Sequence, residues 1–101
     1  MGGDAVLERV LPYLHLARRG GKLAFGHAAV RQSLARGHCR LILRARDAGA
    51  YCRRLDTGAV PVRELADRRQ LGAWCGRSEL AVLGIDDAGL AAGILGRLEG
   101  E

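Results

Sequence analysis

Apolar and polar positions along the chain predict helices and strands in turn. The segment 13–19 has helical spacing with basic residues in its last turn, and Gly20 and Gly21 end it. Pro12 fits best as the first residue of that helix, because an amide hydrogen is not needed in a first turn. We therefore expect residues 4–11 to form a separate or kinked helical turn.

Four short, largely apolar runs are typical of strands that are buried on both faces. They span residues 22–25, 39–45, 60–65 and 79–85. Helices are expected between them, over residues 27–36, 48–55 and 68–75, and after Asp86 or Asp87, with Leu90, Ile94 and Leu98 on the inner face of the last one. Because strands alternate with helices, the sequence predicts an α/β protein, a three-layer α/β/α sandwich around a four-stranded sheet.

Acidic residues stand where helices are expected to begin. A carboxylate in that position accepts hydrogen bonds from the first free amides of the helix. Asp47 is expected to cap the helix over 48–55, and Asp67 the helix over 68–75. Pro61 lacks an amide hydrogen, which favours an edge position for the third strand.

Length and composition restrict the class of protein. The chain has 101 residues, 49% of them hydrophobic, which fits one globular domain over residues 1–101. No apolar run approaches the ~18 residues of a membrane helix, and the start lacks the pattern of a secretory signal, so we expect a cytoplasmic protein. Three cysteines without metal-ligand spacing, Cys39, Cys52 and Cys75, suit free thiols in a reducing compartment.

Positive charge is unevenly distributed. The net charge is +5, yet the stretch 18–77 holds 14 basic and 4 acidic residues, whereas residues 78–101 hold 5 acidic residues and one arginine. All but one of the 16 basic residues are arginine, whose planar guanidinium pairs with phosphate oxygens through two hydrogen bonds. Codon bias can explain why arginine is used rather than lysine. It does not explain the uneven distribution of charge along the chain, which favours a polyanionic partner.

Signatures of catalysis are scarce. The segment 20–22 lacks the earlier glycine and the following hydroxyl residue of a phosphate-binding loop. Asp86 and Asp87 stand at a helix start, where capping accounts for them. Tyr51 and Trp74 are interpreted as core or interface anchors rather than as platforms for base stacking. We expect no catalytic activity, no cofactor and no metal.

The start of the second helix is the strongest candidate site. Gly26 lets a ligand approach the backbone, and the first amides of the helix point outward with its positive end behind them. Basic residues flank this point along the chain: Arg18, Arg19, Lys22 and Arg31. Such a cluster is typical of a site for a phosphate backbone. The alternative is a solvated basic surface without a ligand.

Several motifs resemble one family, in the same order. LHLARRGGKLAFG at residues 14–26 is similar to the LGLAxRAGKLxxG opening of the YlxQ-like bacterial ribosomal proteins. These belong to the superfamily of the kink-turn-binding archaeal ribosomal protein L seven-Ae and its L thirty-e relatives. Further segments resemble family motifs: RGHCRLILRARD at 36–47, VPV at 60–62, LGAWCG at 71–76 and AVLGIDDAGLA at 81–91.

The resemblance implies the L thirty-e-like fold, an α/β/α sandwich with a four-stranded mixed sheet. It also implies a non-catalytic protein that binds structured RNA, ribosomal or otherwise non-coding, and that associates with the ribosome or with another RNA-binding protein. In such relatives RNA meets the start of the second helix and two neighbouring loops. By position, Gly26 matches the glycine of the GxNExxK motif, Asp47 matches the Asp of AED, and Arg77 follows LGxAxG.

Four positions depart from the family pattern. The Asn, Glu and Lys of GxNExxK are here Ala28, Ala29 and Gln32, and the Glu before Asp47 is Arg46. Alanine cannot form the hydrogen bonds to base edges that carry specificity, whereas contacts to phosphates tolerate these changes. The expected RNA binding is therefore electrostatic and shape-directed, and the four departures leave kink-turn specificity an open alternative.

The RNA-binding residues predicted from the sequence lie before, within and after the second helix: Arg18, Arg19, Lys22, Gly26, His27, Ala28, Arg31, Gln32, Arg46, Asp47 and Arg77. We expect the basic members of this set to converge around Gly26. The alternative is a protein–protein interaction module on the same fold that has lost specific RNA binding. Ala28, Ala29 and the acidic last quarter of the chain favour that alternative.

Overall fold

Five helices and four strands alternate along residues 5–99, the part of the chain that the computed structural model describes. The helices are α1 (Ala5–Arg19), α2 (His27–Ala35), α3 (Ala50–Arg53), α4 (Arg68–Ala73) and α5 (Ala88–Leu98). The strands are β1 (Leu23–Phe25), β2 (Leu41–Arg44), β3 (Val62–Glu64) and β4 (Val82–Ile85). The predicted order is confirmed. The paired strands are shorter than the apolar runs, because the ends of those runs form the loops.

The strands form one mixed sheet in the order β1-β4-β2-β3. Strand β4 runs antiparallel to both of its neighbours, with Leu23 opposite Ile85 on the β1 side. Strands β2 and β3 are parallel, with Ile42 opposite Val62. The strand that follows Pro61 is therefore at an edge, as predicted from the missing amide hydrogen.

Helices cover both faces of the sheet, because successive side chains of a strand point to opposite sides. Leu41 and Leu43 of β2 are buried in a core with α1, α4 and α5. Ile42, between them, is buried in a second core with α2 and α3. In β4, Leu83 is likewise buried in the first core and Val82 in the second. The predicted three-layer α/β/α sandwich is confirmed.

Helix α1 corrects one prediction. Pro12 lies inside a continuous helix of 15 residues and does not begin a new one. Leu7, Val10 and Leu14 form the buried stripe of this helix, and their packing offsets the one helical hydrogen bond that proline cannot donate. Asp4, the expected first residue of the separate turn, lies outside the described residues. None of the described helices is both long and apolar enough to cross a membrane.

Two of the three expected caps are found. Asp67 forms a capping box with Gln70 at the start of α4, and Asp87 accepts a hydrogen bond from the amide of Leu90 in α5. The prediction for Asp47 is wrong: α3 begins two residues later, with Gly49 as its N-cap and no side-chain cap. A turn intervenes, in which the amide of residue 48 donates to the carbonyl of residue 45, so Asp47 is too far from the first helical amides.

The three cysteines are free, as expected. Cys39 and Cys75 are buried and Cys52 is half-buried. Burial raises the pKa of the Cys39 thiol, which keeps it protonated and unreactive.

Candidate nucleic-acid interface

Four loops meet at one end of the sheet, which we call the loop end. Strands β1, β2 and β3 finish there, at Phe25, Arg44 and Glu64, and β4 begins there, at Val82. Backbone hydrogen bonds continue past the strands. The amide of Gly26 donates to Val82 (2.9 Å), that of residue 45 to residue 81 (2.9 Å), and that of residue 46 to residue 66 (2.9 Å). The loops that carry the candidate residues are therefore fixed to one another.

Gly26 sets the start of α2. Its φ of 90° lies in the region that glycine favours, and its carbonyl accepts from the amide of Val30 (3.0 Å). No side chain caps this helix end. The first amides of α2 consequently face outward with the positive end of the helix dipole, an arrangement that attracts anions.

Two arginines pack on aromatic rings that lie against the first core. With those rings they form what we call the arginine–aromatic cluster (Arg18, Phe25, Trp74 and Arg77). The Arg77 guanidinium carbon lies 4.8 Å from the centroid of the Phe25 ring. Arg18 lies 5.9 Å from that centroid and 5.8 Å from that of Trp74, and its Nη2 donates to the carbonyl of Cys75 (3.3 Å). A guanidinium stacked on a ring keeps N–H groups at its edge for phosphate oxygens.

Trp74 anchors this cluster from within. Its ring is half-buried, 6.3 Å from that of Phe25 and 5.4 Å from that of His15, the latter edge-on. Its Nε1 is buried and has no hydrogen-bond partner among residues 5–99. Ring packing therefore holds Trp74 in place, in agreement with its predicted role as an anchor.

The loop between β2 and α3 presents Arg46 and is held by a residue that sequence reasoning missed. Arg53 donates from Nε to the carbonyl of Ala48 (2.9 Å) and from Nη2 to that of Arg46 (2.5 Å). Its Nη1 pairs with Glu64 (2.7 Å), which also accepts from Arg44 (3.0 Å). These arginines, Arg53 foremost, lower the pKa of the Glu64 carboxyl.

Asp47 is engaged by the neighbouring helix. Its carboxylate accepts from the backbone amide of Arg68 (2.8 Å), the first residue of α4, and lies 3.5 Å from the side-chain Nε of Arg68. The hydrogen bond from that amide is the main reason that the pKa of Asp47 is lowered. Asp47 therefore ties the β2–α3 loop to α4.

The predicted residues of α2 follow one another along the exposed side of the helix. His27 is half-buried, whereas Ala28, Arg31 and Gln32 are exposed. His27 stacks on Tyr51 of α3, with ring centroids 4.0 Å apart. Tyr51 is 64% exposed and is therefore not part of the core.

The predicted basic residues do not all converge around Gly26, which corrects that expectation. Arg18 and Arg77 lie over rings packed against the first core, whereas Arg31 belongs to α2, which packs on the second core. Lys22 lies apart from Gly26 as well. Its carbonyl accepts from the amide of Asp86 (2.8 Å), and it lines a depression with His38 and Arg40 at the opposite end of the sheet. Lys22 precedes β1 and Gly26 follows it, and three extended residues span about 10 Å. Arg19 is exposed in the last turn of α1, and within the described residues its side chain makes no hydrogen bond, ion pair or ring contact.

No protein-family model matches the chain, and neither does any curated protein. Solved structures do match. A protein of unknown function from Bacillus halodurans is 28% identical, with a TM-score of 0.80, over 90% of this chain and 97% of that one. The 15.5-kD RNA-binding protein of Giardia lamblia is 19% identical, with a TM-score of 0.71, over 98% of this chain and 92% of that one. The fold predicted from the sequence is thus shared with an RNA-binding protein, whereas the YlxQ-like assignment stays a prediction.

Proposed function

We propose that this chain is a non-catalytic RNA-binding protein that holds the phosphate backbone of a structured RNA at the loop end of the sheet. The observation that carries the proposal is the arginine–aromatic cluster: the guanidinium groups of Arg18 and Arg77 lie over the rings of Phe25 and Trp74, and Phe25 directly precedes Gly26, where α2 starts without a side-chain cap. Ribosomal or other non-coding RNA, in a ribonucleoprotein that serves translation, is the partner class that the sequence resemblance favours.

Three sources of positive potential act together in this proposal. The stacked guanidinium groups are exposed but restricted, so they lose little conformational entropy on binding a phosphate. The amide hydrogens at the start of α2 and the dipole of the helix add a partial positive charge at the end of the sheet where β1 finishes. Arg46, on the adjacent loop, extends the same surface. An anionic strand can therefore follow the loop end without any contact to a base.

Base-specific recognition is weak in this proposal. Ala28 is exposed on α2 where the resemblance expects an asparagine, and a methyl group offers no hydrogen bond to a base edge. Affinity then depends on phosphate contacts and on the shape of the RNA. The similarity in fold to the Giardia RNA-binding protein supports RNA as the polyanion.

The distribution of apolar surface favours RNA binding over the protein-interaction module. Within residues 5–99 the large hydrophobic side chains that are exposed are Leu16 and Tyr51. They belong to α1 and α3, on opposite faces of the sheet. Contiguous apolar patches mark protein-interaction sites, and two separated side chains do not make one.

A binding titration tests the proposal. Fluorescence anisotropy compares a labelled hairpin RNA that contains an internal loop with a single-stranded RNA of the same composition. We expect tighter binding to the structured RNA, and a large loss when Arg31 and Arg46 are both changed to Glu. Equal affinity of wild type and double variant would place the RNA on another face, and the absence of RNA binding at low salt would refute the function.

A further inference from the structure

A groove between α2 and α3 adjoins the proposed RNA site, with which it shares His27 and Arg31, and has its own chemistry. Its volume is about 580 Å³, within the range of small-molecule sites. One wall is formed by α2, the other by α3 and the segment that follows it. We propose that this groove binds one unpaired nucleotide, with its base against Tyr51 and its phosphate between Arg31 and Arg54.

The base-stacking surface is the ring of Tyr51. This ring is 64% exposed, yet it is held by His27, which stacks on it at 4.0 Å with 26° between the planes. A flat ring that is both exposed and fixed in orientation suits a nucleobase, since every base has a stacking face. Leu34 and Leu55, both half-buried against the second core, give the groove an apolar lining.

The phosphate-binding groups are two arginines on opposite walls. Arg31 comes from α2 and Arg54 from the end of α3, and both are exposed. Within residues 5–99 neither guanidinium forms an ion pair or a hydrogen bond. Both guanidinium groups are thus available to a ligand in the groove, which favours an anionic ligand over a neutral one.

One carboxylate opposes these charges and adds selectivity. Asp56 also lines the groove, and its Oδ1 accepts from the amide of Gly58 (3.1 Å). The remaining lone pairs of a carboxylate accept from hydroxyl or amino groups but repel phosphate. Asp56 therefore favours a sugar hydroxyl or an exocyclic amine on its side and directs the phosphate towards the arginines.

The groove begins where the proposed RNA site ends, because His27 follows Gly26 at the start of α2. A single strand that leaves the loop end along α2 reaches Tyr51 directly. The nucleotide can thus belong to a bound RNA, a possibility that rests on the proposed function. It can also be a free nucleotide. The chemistry in the groove is the same for both sources.

Two probes separate these sources. The first is the hairpin RNA with and without a short single-stranded adenosine extension, followed by anisotropy. The second is AMP, followed by backbone amide shifts of the ¹⁵N-labelled chain. Tyr51→Ala removes the stacking ring, Tyr51→Phe keeps it, and Leu16→Ala is the control for loss of an exposed apolar side chain on the other face.

We expect the extension to tighten binding by about 5- to 30-fold, and Tyr51→Ala to abolish that gain while leaving the plain hairpin unchanged. We also expect AMP to shift amides of α2 and α3 in wild type and Tyr51→Phe but not in Tyr51→Ala. AMP shifts without a gain from the extension would assign the groove to a free nucleotide. No gain and no AMP shifts would overturn the inference, even if Arg31-dependent hairpin binding persists. Conversely, AMP binding without any RNA binding would refute the proposed function and leave the groove assignment standing.

Discussion

The guanidinium of Arg77 lies over the ring of Phe25, 4.8 Å from its centroid. Phe25 is the last residue of β1 and Arg77 belongs to the loop after α4, so the contact joins two of the four loops at this end of the sheet. It holds a charged group over the ring of the residue that precedes Gly26. The proposed phosphate contact of Arg77 depends on this placement.

Arg77→Gln should weaken RNA binding by about five- to tenfold, because it removes one charge-assisted phosphate contact while keeping a polar side chain of similar length. Arg97→Gln is the matched control: Arg97 also packs on a ring, 5.6 Å from the centroid of Tyr13, but it lies on α5. Anisotropy titrations at one salt concentration compare the two. An equal loss in both variants would reduce the effect to net charge and contradict the specific role of Arg77.

Arg53→Lys should destabilise the protein by about 1–2 kcal/mol, because lysine cannot reach the two carbonyls and Glu64 at once. It should also weaken RNA binding, since the loop that carries Arg46 loses its clamp. Arg63→Lys, which alters an exposed ion pair with Glu99, is the control and should change stability by less than about 1 kcal/mol. Urea denaturation measures both. Equal stabilities of the two variants would show that the contacts of Arg53 with the β2–α3 loop and Glu64 do not stabilise the protein.

Acid should remove the contribution of Glu64 to stability. Its pKa is lowered in the folded state by Arg53 and Arg44, so its stabilising effect is complete above the pKa of an unfolded glutamate and is lost as the pH falls through the folded value. Wild type should therefore melt at a higher temperature than Glu64→Gln at pH 7, and the difference should shrink towards zero as the solution is acidified. A difference that is the same at all pH values would contradict this.

Gly72→Ala should destabilise the protein by about 1–3 kcal/mol. A Cβ at Gly72 would lie 2.7 Å from the Cα of Glu79 and 2.9 Å from the carbonyl of Arg77, so the backbone of that loop has to move. Gly96→Ala is the control, because a Cβ there has open space in helix α5 and should stabilise by up to about 1 kcal/mol. Urea denaturation of both variants measures these changes in the free energy of unfolding. Unchanged stability of Gly72→Ala would mean that the loop is not packed on α4.

The order of elements could be predicted because the four apolar runs are short and are separated by residues that end helices. Two local predictions failed for the same reason, which is that packing outweighed a local preference. The apolar stripe of α1 continues through Pro12, and Asp47 bonds across to Arg68, which is distant in sequence but adjacent in the fold.

Residues of the candidate site could be predicted only where neighbours in the sequence are also neighbours in the fold. Gly26 and His27 are consecutive, so the start of α2 was found. Lys22 is close to Gly26 in the chain, yet β1 carries it to the other end of the sheet. Arg53 and the exposed ring of Tyr51 have no sequence signal, because their roles depend on contacts between elements.

The salt dependence of RNA binding tests the central claim most directly. The affinity of wild type for the hairpin RNA, measured from low to high salt, should fall linearly on a double-logarithmic plot, with a slope that reflects the number of phosphates contacted. Changing both Arg18 and Arg77 to Gln should make that slope shallower by about 2, one for each lost contact. An affinity that does not depend on salt, or an identical slope for wild type and the double variant, would contradict the account.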